Sequence, residues 1–186
     1  MKLSKILSNH QVWIISDTHW GHNNILKFTD KSGYPIRPWD DIFTMEEDMI
    51  EMWNELVSPN DYLIHVGDVA MNKTGYDRVM PRLNGRKILI QGNHDQMDIS
   101  VYNQHFEHIV PMLMISNIAL LTHIPVHPDS IGRNNVNIHG HLHDKRVLMS
   151  NGEPDPRYVN VSCEQTLFKP ICFHTLLESV RLRPIN

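Results

Sequence analysis

The clearest structural signal in the chain is VWIISD (12–17), a short apolar and β-branched run that ends on a carboxylate. Four later segments repeat this form: DYLIHVGD (61–68), RKILIQGNHD (86–95), NIALLTH (117–123) and NVNIHGH (135–141). Such runs are typical of β-strands, and each of these delivers polar residues at its carboxyl end. We therefore predict strands whose carboxyl ends carry the functional side chains.

Helical patterns lie between these strands. The segment 44–57 has apolar residues at helical spacing, and Thr44 with Glu47 matches a capping box. A weaker helical pattern covers residues 76–83. Strands that alternate with helices predict an α/β fold, and the shorter, turn-like spacing after Asn93 predicts a second, more antiparallel sheet.

Length and composition favour one domain and a small substrate. The 186 residues are 41% hydrophobic, and we expect a single domain over residues 1–186. No long apolar run or signal peptide is recognisable, so we expect a cytoplasmic protein without membrane contact. Cys163 and Cys172 have neither zinc-ligand spacing nor a disulfide framework. The net charge of -4, without a basic block, argues against binding to long nucleic acid.

The unusual feature of the composition is its thirteen histidines. Asp17 and His19 are two residues apart at a strand end, so an extended backbone would point both to one face and one cation. Asp68 follows Gly67 at the end of the next strand, and its two oxygens can bridge ions about 3.5–4 Å apart. Later strands lead to Asn93, His94, Asp95, His123, His141 and His143. Because strand ends meet at one edge of an α/β sheet, these side chains are predicted to share a site.

In chain order, the motifs D-x-H, G-D, G-N-H-D, an isolated H and G-H-x-H resemble the calcineurin-like metallophosphoesterase superfamily. DTHWGHNN, Arg-Pro-Trp at 37–39 and VNVSCE (159–164) are similar to small bacteriophage-associated members. The resemblance implies a four-layer α/β/β/α sandwich of two mixed sheets with a dinuclear metal site at one edge. It implies one metal held by Asp17, His19, Asp68 and His143, and a second held by Asp68, Asn93, His123 and His141.

The implied cofactors are two divalent transition-metal ions. Mn is favoured by family analogy, with Fe, Zn, Ni or Co as alternatives, because a mixed oxygen and imidazole set suits these ions better than Ca or Mg. The implied reaction is hydrolysis of a phosphodiester of a small nucleotide-like substrate by a metal-bridging hydroxide. The alternatives are a phosphomonoesterase or pyrophosphohydrolase of the same fold and, ranked last, a non-catalytic metal-binding scaffold.

His94 has the family position of the residue that meets the phosphoryl or leaving-group oxygen, and we assign it as general acid. Protein phosphatases of the superfamily orient this histidine with an Asp, and here that position is Met71. The difference makes protein phosphatase activity less favoured. It also leaves open that His94 stabilises charge rather than transferring a proton.

Other polar residues in predicted loops are candidates for substrate contact. Arg37 and Arg133 could clamp a phosphate, because a guanidinium matches two phosphate oxygens at once. His22 follows the first metal pair and could touch substrate or pack in its loop. His65 is expected in a hydrogen-bonded core position, and His139 is expected to support a ligand from behind.

Overall fold

Nine strands form two sheets in the computed structural model of the chain, which describes residues 6–7, 9–115 and 117–181. The strands are β1 (Val12–Ile15), β2 (Tyr62–His65), β3 (Arg86–Ile90), β4 (Phe106–Val110), β5 (Met112–Ile115), β6 (Ala119–Thr122), β7 (Val136–His139), β8 (Tyr158–Asn160) and β9 (Ile171–Cys172). One sheet has the order β4-β3-β2-β1-β9 and the other β5-β6-β7-β8.

The helices are α1 (Ile42–Leu56), α2 (Lys73–Val79), α3 (Ile99–Tyr102), α4 (Pro128–Ile131) and α5 (Phe173–Arg181). Short 3₁₀ turns lie at Asn23–Lys27, Met80–Arg82 and Cys163–Gln165. No helix among the described residues has the length and apolar character needed to cross a membrane.

Both faces of the first sheet are buried. Ile15 of β1 packs with Met45 and Trp53 of α1 in one apolar cluster. Ile14, which points to the opposite face, packs with Leu121 of the second sheet in another cluster. Burial on both faces explains why these strands are continuously apolar rather than alternating. The predicted α/β sandwich of two mixed sheets is confirmed.

The register of the parallel strands aligns their carboxyl ends. Ile15 of β1 is paired with His65 of β2, and His65 is paired with Leu89 of β3. In the second sheet, Leu121 of β6 is paired with Ile138 of β7. The loops that follow β1, β2, β3, β6 and β7 therefore begin at the same edge of the sandwich.

Several local predictions were wrong. The N-cap of α1 is Asp41, whose carboxylate accepts from the amides of Phe43 and Thr44, so Thr44 lies inside the helix instead of capping it. The second predicted helix is present, but it begins at Lys73 rather than Tyr76, and the residues after Val79 continue as a 3₁₀ turn. In the second sheet only β5 and β6 are antiparallel, because α4 carries the chain across to a parallel β7.

Candidate metal centre

Two groups of ligand-type side chains lie at the aligned strand ends. In each group the ligand atoms are within 4.8 Å of one another, and the groups are Asp17, His19 and His143, and Asp68, His123 and His141. The seventh predicted ligand, Asn93, places its Oδ1 3.0 Å from His123 Nε2. The structure thus brings all seven predicted ligands together.

Asp68 lies between the two groups. Its Oδ2 is 3.5 Å from His19 Nε2 and 3.2 Å from His123 Nε2. Its other oxygen accepts a 2.8 Å hydrogen bond from the His94 amide. One carboxylate oxygen therefore faces both groups while the second fixes the carboxylate plane, as a bridging ligand requires.

The buried histidines are suited to a cation. The His123 Nδ1–H donates to Val66 O at 2.7 Å, which leaves Nε2 facing two oxygens, on Asn93 and Asp68, that can only accept. Either a proton or a metal ion must occupy that position. Both ring nitrogens of His19 are buried without a hydrogen-bond partner in the described part of the chain. Since buried polar atoms are normally satisfied, these residues fit two divalent ions.

The backbone at the centre is strained. Positive φ angles occur at Asp17 (58°), His19 (53°), Asp68 (56°), His141 (68°) and His143 (53°). Each such residue costs on the order of 1–3 kcal/mol, and such costs persist at functional sites where the surroundings enforce them. The strain lies on five of the predicted ligands, and it argues that their placement serves binding rather than stability.

Two glycines permit the close approach of these loops. A Cβ on Gly67 would lie 2.6 Å from His123 Nδ1, and one on Gly140 would lie 2.3 Å from Asp17 Oδ2. Either contact would push a predicted ligand out of place. The missing side chain at Gly67 thus lets the loop after β2 approach His123 and the Gly92 backbone closely.

Electrostatics favour the metal-binding protonation state in His19, His141 and Asp68, whereas the pKa values of Asp17, His123 and His143 are raised towards the protonated form. Burial lowers the pKa of His19 well below its usual value, and burial also lowers the pKa of His141. Burial opposes ionisation of Asp68, but its hydrogen bond and attraction to His123 bring its pKa down to about 2. Metal binding requires neutral imidazoles and ionised carboxylates, so His19, His141 and Asp68 need no proton change.

A buried ion pair supports the first group from behind. The Glu164 Oε1 accepts from His143 Nδ1 at 2.9 Å and from Arg37 Nε at 2.9 Å. The Arg37 guanidinium also donates to the carbonyls of Asp17 (2.6 Å) and Thr18 (2.9 Å). One carboxylate thus orients a predicted ligand and, through Arg37, the loop that carries two more.

Arg37 was expected to contact substrate, and that prediction is wrong. Its side chain is fully buried and its donors are used by protein acceptors. Arg133 is exposed but lies before the amino end of β7, whereas the ligands lie beyond the carboxyl ends. It too is misplaced for contact with a substrate at the centre.

The remaining predicted residues surround the centre. His94 is exposed, and its ring centroid is 5.5 Å from that of His19. The ring centroid of His22 is also 5.5 Å from that of His19, and its contact with substrate stays a prediction. His65 is buried with its Nε2 3.0 Å from Thr18 Oγ1, which is the hydrogen-bonded core position expected for it. The His139 Nδ1–H donates to Gly140 O at 2.7 Å, and its support of a ligand stays a prediction.

Sequence reasoning missed the supporting carboxylates. Glu164 ends the quoted VNVSCE segment, and its position after an alternating apolar and polar run is the available signal. Asp95 is predicted at the shared site without a role of its own, and its carboxylate accepts from the amides of Asp68, Val69 and Gly92. It therefore holds the loops after β2 and β3 together.

Comparison with known proteins gives two relatives of nearly full length whose names state no activity. No family model matches the chain. An uncharacterized protein of Methanocaldococcus jannaschii is 27% identical over 97% of this chain and 99% of its own length. A crystal structure of a protein of unknown function from Aquifex aeolicus superimposes with a TM-score of 0.68 at 24% identity, covering 92% of this chain and 100% of that chain.

The likeness to the Aquifex aeolicus protein shows that this chain shares its fold with a solved structure. A nuclease from Pseudomonas putida superimposes with a TM-score of 0.45 at 18% identity, covering 77% of this chain and 66% of that chain. The similarity to bacteriophage-associated members stays a prediction.

Proposed function

We propose that this chain is a calcineurin-like metallophosphoesterase, a single domain that hydrolyses phosphodiesters of small nucleotide-like substrates. The observation that carries the proposal is Asp68 Oδ2, which lies within 3.5 Å of imidazole nitrogens from both ligand groups. Two bound divalent ions would activate a water nucleophile and neutralise charge on the phosphoryl oxygens. Mn is our first choice of metal, with Fe, Zn, Ni or Co as alternatives.

The chain's own residues divide the remaining work. Asp17, His19 and His143 would hold one ion, and the histidines and Asn93 of the other group would hold the second, with Asp68 shared. His94 is exposed beside His19, and in this proposal it would donate a proton to the leaving oxygen or stabilise phosphoryl charge. His22 is a second group that a bound ester could contact.

The exposure of His94 bears on the class of ester. Met71, which replaces the orienting Asp of protein phosphatases, is 43% exposed. Among the described residues no hydrogen bond reaches the His94 ring nitrogens. The His94 side chain can therefore adjust to different leaving groups, and we favour a small diester over a phosphoprotein as substrate.

We propose the cytoplasm as the location of the protein, because its two free cysteines suit a reducing compartment.

The proposal is tested with bis(p-nitrophenyl) phosphate, p-nitrophenyl phosphate and inorganic pyrophosphate, each supplied to the Mn-loaded protein. We expect hydrolysis of the diester to have the largest kcat/KM. Preference for the monoester or for pyrophosphate would favour the alternative reactions. A protein that binds two ions and hydrolyses none of the three would favour the scaffold.

A further inference from the structure

A cavity of about 610 Å³ opens directly beside the metal centre. The loop after β7 contributes His141, His143 and Lys145 to its lining, and the segment 27–36 contributes Lys27, Phe28 and Ile36. Small-molecule sites usually measure about 300–1,000 Å³. Because the cavity shares two histidines with the ligand groups, a molecule bound there would be in reach of the reacting phosphate.

A short hairpin forms one wall of this cavity. The Ile36 amide donates to Phe28 O at 2.9 Å, and the Asp30 amide donates to Tyr34 O at 2.8 Å. The Asp30 carboxylate also accepts from the Tyr34 amide at 3.0 Å. Buried Arg37 follows immediately and anchors the hairpin to the loop after β1. The hairpin is therefore fixed at its base, where Phe28 and Ile36 line the cavity.

Phe28 is unusual because an aromatic ring is left in water next to a polar site. Its side chain is 45% exposed, and its ring forms a T-shaped pair with the His22 ring, with 5.8 Å between centroids. The His22 contact orients the ring without covering it. An exposed ring of this kind offers a face on which a planar heterocycle can stack, and such stacking does not depend on the identity of the base.

The charges around the cavity favour an anion. Lys27 and Lys145 are both exposed on its rim, while Asp144 is the one acidic residue in its described lining. Lys27 Nζ donates to Asn24 Oδ1 at 3.2 Å, and no carboxylate pairs with it in the described residues. The two lysine ammonium groups suit the negative charge of a phosphate, and the neighbouring aromatic face of Phe28 suits a base joined to that phosphate.

We propose that this cavity is the nucleoside subsite of the enzyme. Phe28 stacks on the nucleobase, and Lys27 and Lys145 bind oxygens of the phosphate ester. The inference rests on the proposed function and narrows it to esters of nucleotide size that carry an aromatic base.

The test measures binding to the Mn-loaded protein by calorimetry. The probes are a nucleoside phosphonate, whose C–P bond cannot be hydrolysed as an ester, and the matching ribose phosphonate without a base. Phe28→Ala should lower the affinity for the nucleoside phosphonate by about 5- to 150-fold, which is the range expected for one base–aromatic stack. It should leave the affinity for the ribose phosphonate unchanged. Phe28→Leu, which keeps apolar packing, should show the same selective loss. Lys145→Gln should weaken both probes.

Tyr34→Ala is the matched control, because Tyr34 is an aromatic residue of the same hairpin that is 70% exposed and outside the cavity lining. It should bind both probes like the parent. The subsite would be overturned if Phe28→Ala bound the nucleoside phosphonate as tightly as the parent does. It would also be overturned if this variant lost affinity for both probes equally. If either of these results is found and the parent still hydrolyses the nitrophenyl diester, only the subsite fails and the proposed function stands. If it neither hydrolyses that ester nor binds either probe, the proposed function fails.

Discussion

The substitution Glu164→Gln tests the residue that positions His143 and leaves all seven predicted metal ligands in place. Glu164 is 3% exposed, and the same oxygen accepts from both His143 and Arg37. Glutamine keeps the shape and one acceptor oxygen but removes the charge. The buried Arg37 would then lose its carboxylate partner, and His143 would lose the charged acceptor that fixes its tautomer.

Two magnitudes follow. Breaking a buried pair by removing one charge costs roughly 3–5 kcal/mol, and we expect about 3 kcal/mol because Arg37 keeps its two backbone acceptors. For a chain of 186 residues that corresponds to a fall in Tm of roughly 6–12 °C. Loss of an outer partner of a ligating histidine typically weakens metal affinity by about 10- to 100-fold. Only the ion held with His143 should show that loss.

The stability difference should also depend on pH. Burial opposes ionisation of Glu164, but Arg37 and His143 lower its pKa from 4.5 to about 2. A lowered pKa in the folded state stabilises the protein above the pKa of the unfolded state. The advantage of the parent over Glu164→Gln should therefore be complete above about pH 5 and should disappear as the pH falls towards 2.

Urea unfolding of the metal-free proteins and calorimetric titration with Mn measure these effects. Glu107→Gln is the matched control, because it removes an exposed partner of Arg86 and should change stability by less than about 1 kcal/mol. If Glu164→Gln lowered the affinity for both ions equally, or left both affinities unchanged, the assignment of Glu164 as a positioning residue for His143 would be refuted.

Three further outcomes are expected. Asp68→Asn should abolish activity and lower occupancy of both ions, whereas two tightly bound ions in an active variant would contradict the bridge. Chelation should lower Tm and stop turnover, and Mn should restore both; an unchanged Tm would argue for weak sites. His94→Ala should lose about 10²–10⁴ in turnover on a nucleotide diester and little on a nitrophenyl ester, with both ions retained, and equal losses would assign His94 to charge stabilisation.

The sequence predicts the strands that carry the centre because their signal is local. Each is a continuous apolar run that ends on a polar motif, and parallel register then aligns those motifs at one edge. Two-sided burial made the runs conspicuous. In contrast, β9 has two residues, and β5 is an apolar run of four residues that does not end on a metal-ligating side chain, so neither matches this form.

Roles that depend on distant contacts were not predictable from spacing. Arg37 and Glu164 are 127 positions apart, and their pairing arises only when the 3₁₀ turn at Cys163–Gln165 packs under the loop after β1. Glu46 is a charged residue of α1, yet it is buried and accepts from Arg78 and the Gly21 amide. A charged residue within a pattern can be identified locally, but its partner is set by tertiary packing.

The central claim is that Asp68 joins two metal ions in one hydrolytic site. Its most direct test is a titration of metal-free protein with Mn, in which bound metal by elemental analysis and diester hydrolysis are measured on the same samples. The account predicts two ions per chain, with turnover that appears only as the second ion binds. Full activity with one ion or none would contradict it.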